Sequence, residues 1–431
     1  PERRVSACKI MRIHVRLAGL CLLCWCGAGA SWQTDGVCLR SARQRQCLSG
    51  GATSGSRGKD VAARLWRRPV MASGAAEADT TILLGGRQVP ASEIKVAVYG
   101  GGNFGTAMAC VLGRKGVQAT LVVRKEAVCE QINEHHINPY YQSDLLLPEA
   151  VSATLDPEAA FRDADFIFHA VPVQYSRESL TKVAHLLPAD VPVVSLAKGI
   201  ETSSLMMMSE LLPEVLGHDR PFAYVSGPSF AAEIVQGMAT AVTVASTDRD
   251  LALDLMALFT CNNFRALYTS DVVGVEVGGA VKNVIAIAAG MCEGLGLGTN
   301  AMAALVTRGC AEMRRLVVAL GGESSTVFGL SGVGDTFGTC FGPLSRNRMV
   351  GYRLGQGEPL EEIVSSMSEV AEGVATSLSL AKLLSREVKG YRRDLKYPIL
   401  FGVAAILEGE LTPAEGLKRL MDMPLIHEDH W

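Results

Sequence analysis

A chain of 431 residues, with 48% apolar and 20% charged side chains, is long enough for two or more domains with apolar cores, which excludes a disordered or fibrous protein. The net charge of −3 hides a division: residues 1–75 contain thirteen Lys and Arg but three Asp and Glu, and the remainder has a net charge of −13. A body this acidic repels phosphate backbones, so we expect no nucleic-acid partner.

Residues 1–91 have the composition of a targeting leader. Small residues follow the short apolar run Leu17–Cys26, as in a secretory signal peptide, and residues 41–69 are rich in Ser, Gly and Arg, as in a transit peptide. The run is too short to span a membrane, so we expect no integral membrane segment in the mature protein. The two parts together resemble the leaders of plastid proteins in algae with secondary plastids and predict the plastid stroma. The alternatives are a translated upstream region with accidental bias, and a cytoplasmic protein.

The cysteines indicate neither a disulfide framework nor a metal site. Six lie in the leader and six are scattered through the body, where we expect reduced thiols. The cluster within Cys21–Cys26 lacks a second ligand pair, and His427 and His430 lie in a terminal tail without further ligands. No metal is predicted.

A nucleotide-binding signature opens the body. The β-branched run Ile94–Tyr99 leads into glycines at G-x-G-x-x-G spacing, Gly100, Gly102 and Gly105, and a helix follows. In such a motif the glycines permit a tight turn, close approach of a pyrophosphate and packing of the helix on the strand.

A second strand is predicted over residues 119–123, and Arg124 follows it. An Arg at this position suits the 2′-phosphate of NADP(H), so we expect NAD(H) and/or NADP(H) as the cofactor, with NADPH at least tolerated. The alternative is a solvated strand end.

Further apolar runs alternate with helical segments and predict strands over residues 165–171, 191–195, 223–226 and 241–245. This alternation is typical of an α/β Rossmann-type doubly wound sheet, with ligands at the carboxyl ends of the strands, and we place it in residues 92–270.

Two polar residues follow strand ends in this predicted sheet. Lys198 leaves a strand next to a glycine and is a candidate anion partner in the cleft. Ser229 lies where a helix should start, so it is both a candidate ligand contact and a candidate N-cap.

The spacing of apolar residues changes after residue 270, which predicts an all-α second domain over residues 271–431. Residues 275–290 are apolar all round, as in a buried helix, with Lys282 and Asn283 as polar exceptions. Burial lowers the pKa of a lysine and makes it a usable proton donor, so Lys282 is the candidate acid. The alternative is a lysine that snorkels to the surface.

Two later segments are expected to serve Lys282. Asp335 lies in a glycine-rich turn, where its carboxylate can pair with the lysine. Residues 345–348 offer a hydroxyl, guanidinium groups and an amide in sequence, a set suited to phosphate oxygens. A solvated basic loop is the alternative for this segment.

The order and spacing of seven motifs resemble NAD(P)-dependent glycerol-3-phosphate dehydrogenase from about residue 95 to about residue 411. The motifs are Gly100–Gly105, Ser195–Gly199, Ser226–Glu233, Gly278–Asn283, Gly332–Asp335, Leu344–Arg348 and Val370–Gly373. The resemblance implies interconversion of dihydroxyacetone phosphate and sn-glycerol 3-phosphate, supply of glycerol 3-phosphate to glycerolipid synthesis, and a homodimer.

The resemblance also implies a role for each matched residue. The catalytic residues are Lys282, Asp335 and Lys198. The substrate contacts are Lys198, Gly227, Ser229, Lys282, Asn283, Asp335, Ser345, Arg346 and Asn347. The cofactor contacts are Gly100, Gly102, Asn103, Phe104, Gly105, Arg124, Lys198, Ala231, Arg346, Val370 and Glu372.

Two other functions are compatible with part of this pattern. A related dehydrogenase acting on a sugar acid or hydroxy acid would lack the sequence Ser345–Asn347 after Asp335. A non-catalytic dinucleotide sensor would keep the glycine motif and lose Lys282. Both features are present here, which favours the enzyme.

Overall fold

The computed structural model describes residues 80–367, 370–387 and 393–424. The predicted signal and transit segments and the His427–His430 tail lie outside these residues. The strands are β1 (Thr81–Leu84), β2 (Arg87–Pro90), β3 (Lys95–Tyr99), β4 (Gln118–Val122), β5 (Val151–Thr154), β6 (Phe166–His169), β7 (Val193–Ser195), β8 (Phe222–Ser226), β9 (Thr240–Ala245) and β10 (Phe264–Thr269).

Helices alternate with the strands from β3 to β10, and the described residues after β10 contain helices and no further strand. The helices of the first part are α1 (Asn103–Arg114), α2 (Glu126–His135), α3 (Pro157–Phe161), α4 (Val173–Val183), α5 (Met208–Leu216), α6 (Ala231–Val235) and α7 (Arg249–Phe259). Those of the second part are α8 (Val272–Gly294), α9 (Gly298–Ala319), α10 (Asp335–Phe341), α11 (Arg346–Gly355), α12 (Leu360–Ser366), α13 (Glu372–Glu387), α14 (Arg393–Lys396), α15 (Pro398–Leu407) and α16 (Pro413–Met421).

The eight strands β3–β10 form one sheet in the order β10-β9-β8-β7-β6-β3-β4-β5. Neighbours pair in parallel except β8 and β9, which pair antiparallel, so β9 and β10 run against the other six strands. The connection from β8 to β9 contains the five-residue helix α6, after which the chain returns antiparallel beside β8. The predicted doubly wound sheet is confirmed, with this reversal at one edge.

A hairpin precedes the sheet, within the stretch that the sequence analysis assigned to the leader. β1 and β2 pair antiparallel, and Ile82 is buried in the same core as the first sheet strand. The backbone N–H of Gly85 donates to Asp254 Oδ1 of α7 at 2.8 Å. Folded structure is therefore already present before residue 92, where the sequence analysis places the start of the body.

The helix α8 is the centre of the second part. By length and composition it could span a membrane, but 83% of its most apolar window is buried inside the protein, as in the core helix of a soluble fold. Helices α9, α10, α11 and α13 pack around it, and it also contacts β8 of the sheet. α8 therefore joins the helical core to the carboxyl end of the sheet, where the polar residues lie.

Candidate active site

Asp335 lies between two lysine ammonium groups where the sheet meets the helices. Lys198 Nζ donates to Asp335 Oδ2 at 2.7 Å, and Lys282 Nζ donates to Oδ1 at 2.8 Å. The side chains of Lys198, Lys282 and Asp335 are 14%, 11% and 4% exposed. Two cations thus face one anion, and the cluster has a net positive charge that suits an anionic substrate.

Three separate elements bring these side chains together. Lys198 follows the carboxyl end of β7, Lys282 lies midway along α8, and Asp335 is the first residue of α10. A Cβ at Gly279 would come within 2.8 Å of Ser226 Oγ and 3.5 Å of the Lys198 side chain. Glycine at this position therefore allows α8 to lie against the strand ends that present Lys198.

Burial and charge act in opposite directions on this cluster. Burial raises the pKa of Asp335, but Lys198 and Lys282 outweigh it, and the pKa of this carboxyl lies below its usual value. Burial lowers the pKa of Lys282, with Asp335 opposing and Lys198 reinforcing the decrease. Asp335 is therefore ionised, and Lys282 gives up its proton more readily than an exposed lysine. The position of Lys282 does not fit the alternative of a side chain that snorkels to the surface.

Thr339 belongs to the cluster and was missed by the sequence analysis. Lys282 Nζ donates to Thr339 Oγ1 at 3.0 Å, and this hydroxyl donates to the backbone carbonyl of Asp335 at 2.6 Å. Asp335 was expected in a glycine-rich turn, whereas it begins a helix after a π-helical turn at Leu330–Gly334. In a helix, the i, i+4 spacing of Asp335 and Thr339 puts both on one face, and this spacing was the available signal.

Residues 345–348 start a helix and are not a solvated loop. Ser345 is buried, and its Oγ accepts from the backbone N–H of Arg348 at 3.2 Å as the N-cap of α11. Asn347 Nδ2 donates to Asn283 Oδ1 at 2.9 Å, and Asn347 Oδ1 accepts from Gly373 N at 3.0 Å. Asn347 and Asn283 therefore connect α11, α8 and α13 behind the cluster, in addition to any contact with substrate.

Arg346 and Glu372 begin two helices, α11 and α13, beside the lysine cluster. Burial raises the pKa of Glu372, opposed first by Arg346 and then by Lys282 and Lys198. The charges of all three cations therefore favour the ionised form of Glu372 against the effect of burial. Val370, two residues earlier, is 59% exposed.

The loop after β8 supplies backbone to the cluster. Gly227 has a φ of +142°, which favours glycine, and its carbonyl accepts from Lys198 Nζ at 3.2 Å and from Ser229 Oγ at 2.8 Å. The helix α6 begins at Ala231 with Phe230 as its N-cap and no side-chain hydrogen bond. The N-cap interpretation of Ser229 is therefore wrong, because its hydroxyl is used within the loop.

The glycine motif forms a cradle at the start of α1. Gly100 has a φ of +121°, and a Cβ there would come within 2.8 Å of the Ala170 carbonyl. A Cβ at Gly105 would meet Gly100 O at 2.1 Å, whereas one at Gly102 would meet nothing within 4 Å. Open space therefore lies in front of the first backbone N–H groups of α1, as the pyrophosphate of a dinucleotide requires.

The other predicted cofactor residues lie around this cradle. Asn103 is the first residue of α1, and its Oδ1 accepts from Gln142 Nε2 at 2.9 Å. Phe104 packs against the core of the sheet domain. Arg124 is exposed two residues beyond the end of β4. The glycine cradle fits the pyrophosphate of a bound NAD(P), and the role of Arg124 at the ribose stays a prediction.

A nucleotide-binding sheet with a glycine cradle, joined to a helical domain that contributes a buried lysine, defines an NAD(P)-dependent dehydrogenase with its active site between two domains. The model for the NAD-dependent glycerol-3-phosphate dehydrogenase N-terminus matches residues 95–252, and the model for its C-terminus matches residues 271–418. The chain belongs to the NAD-dependent glycerol-3-phosphate dehydrogenase family.

Individual relatives agree with this assignment. The chain is 47% identical over 337 residues to glycerol-3-phosphate dehydrogenase [NAD(+)] 2, chloroplastic, of Arabidopsis thaliana, covering 78% of this chain and 79% of the relative. It is 46% identical to glycerol-3-phosphate dehydrogenase [NAD(P)+] of Nitratidesulfovibrio vulgaris, covering 78% and 100%. The crystal structure of glycerol-3-phosphate dehydrogenase from Coxiella burnetii matches with a TM-score of 0.72 at 33% identity, covering 77% and 100%. The predicted family, fold class and cofactor type are confirmed, and both rival functions are disfavoured.

Proposed function

We propose that the protein catalyses the reversible reduction of dihydroxyacetone phosphate to sn-glycerol 3-phosphate with NADH or NADPH, with Lys282 as the acid. The observation that supports this role is the buried Lys282 ammonium, 2.8 Å from Asp335 Oδ1 and held by a carboxylate that Lys198 also binds. The product supplies glycerolipid synthesis.

Lys282 supplies the proton of the reaction. When bound at the glycine cradle, a reduced nicotinamide would supply a hydride to the ketone carbon of the substrate, so that negative charge would develop on the carbonyl oxygen. Lys282 Nζ donates to that oxygen, stabilises the charge and transfers one proton to it. In the reverse direction, neutral Lys282 accepts the hydroxyl proton. The lowered pKa of Lys282 suits both directions.

Asp335 and Lys198 set the position and charge of Lys282. Asp335 orients the ammonium through Oδ1, while Lys198 occupies Oδ2 and leaves the carboxylate partly neutralised. Thr339 Oγ1 accepts a hydrogen bond from a second N–H of the Lys282 ammonium. The remaining N–H of Lys282 is then free to point at a substrate oxygen, because an ammonium has three donors.

Arg346 binds the phosphate in this proposal. It is the first residue of α11, where a guanidinium and the amides of a helix N-terminus combine to suit an anion. Asn347 and Ser345 hold this helix end in place by the hydrogen bonds to Asn283 and Arg348 N. Binding of the phosphate, remote from the reacting carbon, orients the ketone toward Lys282.

A plastid location and a homodimer are part of the proposal. The leader composition supports the plastid, and the Arabidopsis relative is named as chloroplastic. The six cysteines of the described residues are free thiols, as suits a reducing compartment. Exposed apolar side chains on and beside α10, Phe337, Phe341 and Leu344, are candidates for a contact between subunits.

The test is cofactor oxidation by the purified full chain, measured by loss of reduced-nicotinamide absorbance. Dihydroxyacetone phosphate should support turnover with NADH or NADPH, and dihydroxyacetone without the phosphate should support far less. Equal rates on a hydroxy-acid or sugar-acid precursor would contradict the assignment of the substrate.

A further inference from the structure

Glu276 is a carboxyl group shielded from solvent on α8, the helix that carries Lys282, and it has no role in the proposed reaction. It lies on α8, six residues before Lys282. Its Oε2 is shielded from solvent and has no hydrogen-bond partner among the described residues. A carboxyl group in such a place is costly when ionised, so its presence calls for a physical explanation.

The partner of Glu276 is the N-terminus of a helix in the other domain. The backbone N–H of Ser209, in the first turn of α5, donates to Glu276 Oε1 at 3.1 Å. α5 lies between β7 and β8 of the nucleotide-binding domain. A second carboxylate, Glu210, already serves this helix end, because its Oε2 accepts from Met207 N at 3.0 Å. One helix N-terminus therefore faces two carboxyl groups, one from each domain.

The surroundings of Glu276 favour its neutral form. Burial raises the pKa of Glu276 to about 7, with the hydrogen bonds from Ser209 opposing and the charge of Glu210 adding to the increase. Tyr224 faces Glu276 from β8, where burial and then the charge of Glu276 raise the pKa of the phenol. Among the described residues, Glu210 from α5 is the charged group that raises the pKa of Glu276, and Tyr224 from β8 is a titratable group whose pKa the charge of Glu276 raises in turn.

We propose that Glu276 is a positioning residue that ties α8 to α5 across the two domains, and that the tie is proton-linked. If α8 parts from α5, water reaches the carboxyl group and its pKa falls toward the ordinary value. By linkage, loss of the proton then favours parting, and protonation favours the packed arrangement.

Parting of α8 from α5 affects the substrate site more than the cofactor cradle. Lys282 lies on α8 and Lys198 follows β7, and both must reach Asp335 to form the anionic-substrate site. The glycine cradle before α1 belongs wholly to the nucleotide-binding domain. We therefore expect the apparent KM for substrate to rise with ionisation of Glu276, while kcat and the affinity for NADH change little.

The experiment compares the wild type with Glu276→Gln, whose amide stays neutral at every pH. The KM for dihydroxyacetone phosphate is measured at saturating NADH from about pH 6 to about pH 8.5. The ratio of the wild-type KM to the variant KM should be near one at the acidic end and increase severalfold through about pH 7. Taking the ratio cancels the ionisation of the substrate phosphate, which is common to both. A ratio that stays constant with pH would overturn the proposal.

Glu210→Gln is the matched variant on the same helix end. It removes a charge that raises the pKa of Glu276, so the rise in KM should move to lower pH. This variant also tests the proposal if Glu276→Gln fails to fold. An unmoved transition, or an equal change in the NADH dissociation constant measured by fluorescence, would count against a tie between the domains.

The KM measurement requires the proposed function, whereas a measurement of thermal unfolding tests the tie without it. A raised pKa in the folded state means that stability from Glu276 is lost as pH rises through about 7. The melting temperature of the wild type should therefore fall relative to that of Glu276→Gln across this interval. A wild type that shows this difference in melting temperature but reduces no dihydroxyacetone phosphate would contradict the proposed function and support the tie. Parallel melting curves would contradict the tie and leave the proposed function unaffected.

Discussion

Lys198 and Lys282 donate to opposite oxygens of one carboxylate, although one follows a sheet strand and the other lies on a helix of the second domain. One lysine would only neutralise the buried Asp335, whereas the two lysines together also leave a positive charge for the substrate. The pairing therefore makes the active site depend on contact between the two domains, and removal of each member has a different expected consequence.

Lys282→Met is expected to lower turnover by a factor on the order of 10² or more, because the variant lacks both the proton and the positive charge at the carbonyl oxygen. The NADH dissociation constant should change little, since the glycine cradle lies on another element. Steady-state kinetics and NADH fluorescence measure the two effects. Lys182→Met, at a lysine that is 68% exposed on α4, is the control. A Lys282→Met enzyme with a third of the wild-type turnover would contradict the assignment.

Asp335→Asn is expected to move the alkaline limb of the kcat–pH profile to lower pH. The charge of Asp335 raises the pKa of Lys282 against the effect of burial, so an amide leaves burial and Lys198 to depress that pKa further. Thr339→Val removes a hydrogen bond to the same ammonium but no charge, and should shift the limb less. Equal limbs in the wild type and Asp335→Asn would show that Asp335 does not set the charge of Lys282.

Glu312→Gln is expected to flatten the pH dependence of stability. Glu312 is buried and accepts from the backbone N–H groups of Ile399 and Leu400 at 3.1 Å, and burial raises its pKa to about 7 from 4.5. Its stabilising effect is complete below about pH 4.5 and is lost as pH rises to about 7, roughly 3 kcal/mol by the difference in pKa. Thermal unfolding of both proteins across this range measures the effect. Identical slopes of melting temperature against pH would contradict it.

The sequence predicted those parts of the fold that short runs of neighbouring residues determine. The glycine cradle follows from the spacing of Gly100, Gly102 and Gly105, and the buried helix around Lys282 follows from its unbroken apolar run. The antiparallel return of β9 beside β8 was not predicted, because strand direction depends on which neighbours pair in the folded sheet and not on a local pattern. Thr339 and Glu276 were missed because their roles come from contacts with Lys282 and Ser209, which only the folded chain brings near.

Arg124→Asp is expected to impair catalysis with NADPH far more than with NADH. The exposed guanidinium lies just beyond the end of β4, where a 2′-phosphate would be bound, and a carboxylate there repels that phosphate and can accept from a 2′-hydroxyl. The kcat/KM for both cofactors is the measurement. Arg265→Asp, on β10 near the other edge of the sheet, should alter neither. Equal losses with both cofactors would show that Arg124 is a solvated strand end.

The mature protein is expected to begin between about Met71 and Thr80, because import should remove the basic leader but leave the hairpin that starts at β1 intact. Cleavage within or beyond β1 would remove the buried side chain of Ile82 from the core and abolish the pairing of β1 with β2. N-terminal sequencing of the protein from its native cells, with a reporter fused to residues 1–90, measures both parts. A reporter in the plastid stroma is the expected result, whereas one spread through the cytosol, with the leader retained, would contradict the plastid location. Delivery to the secretory pathway alone would support the signal-peptide segment and reject the transit segment.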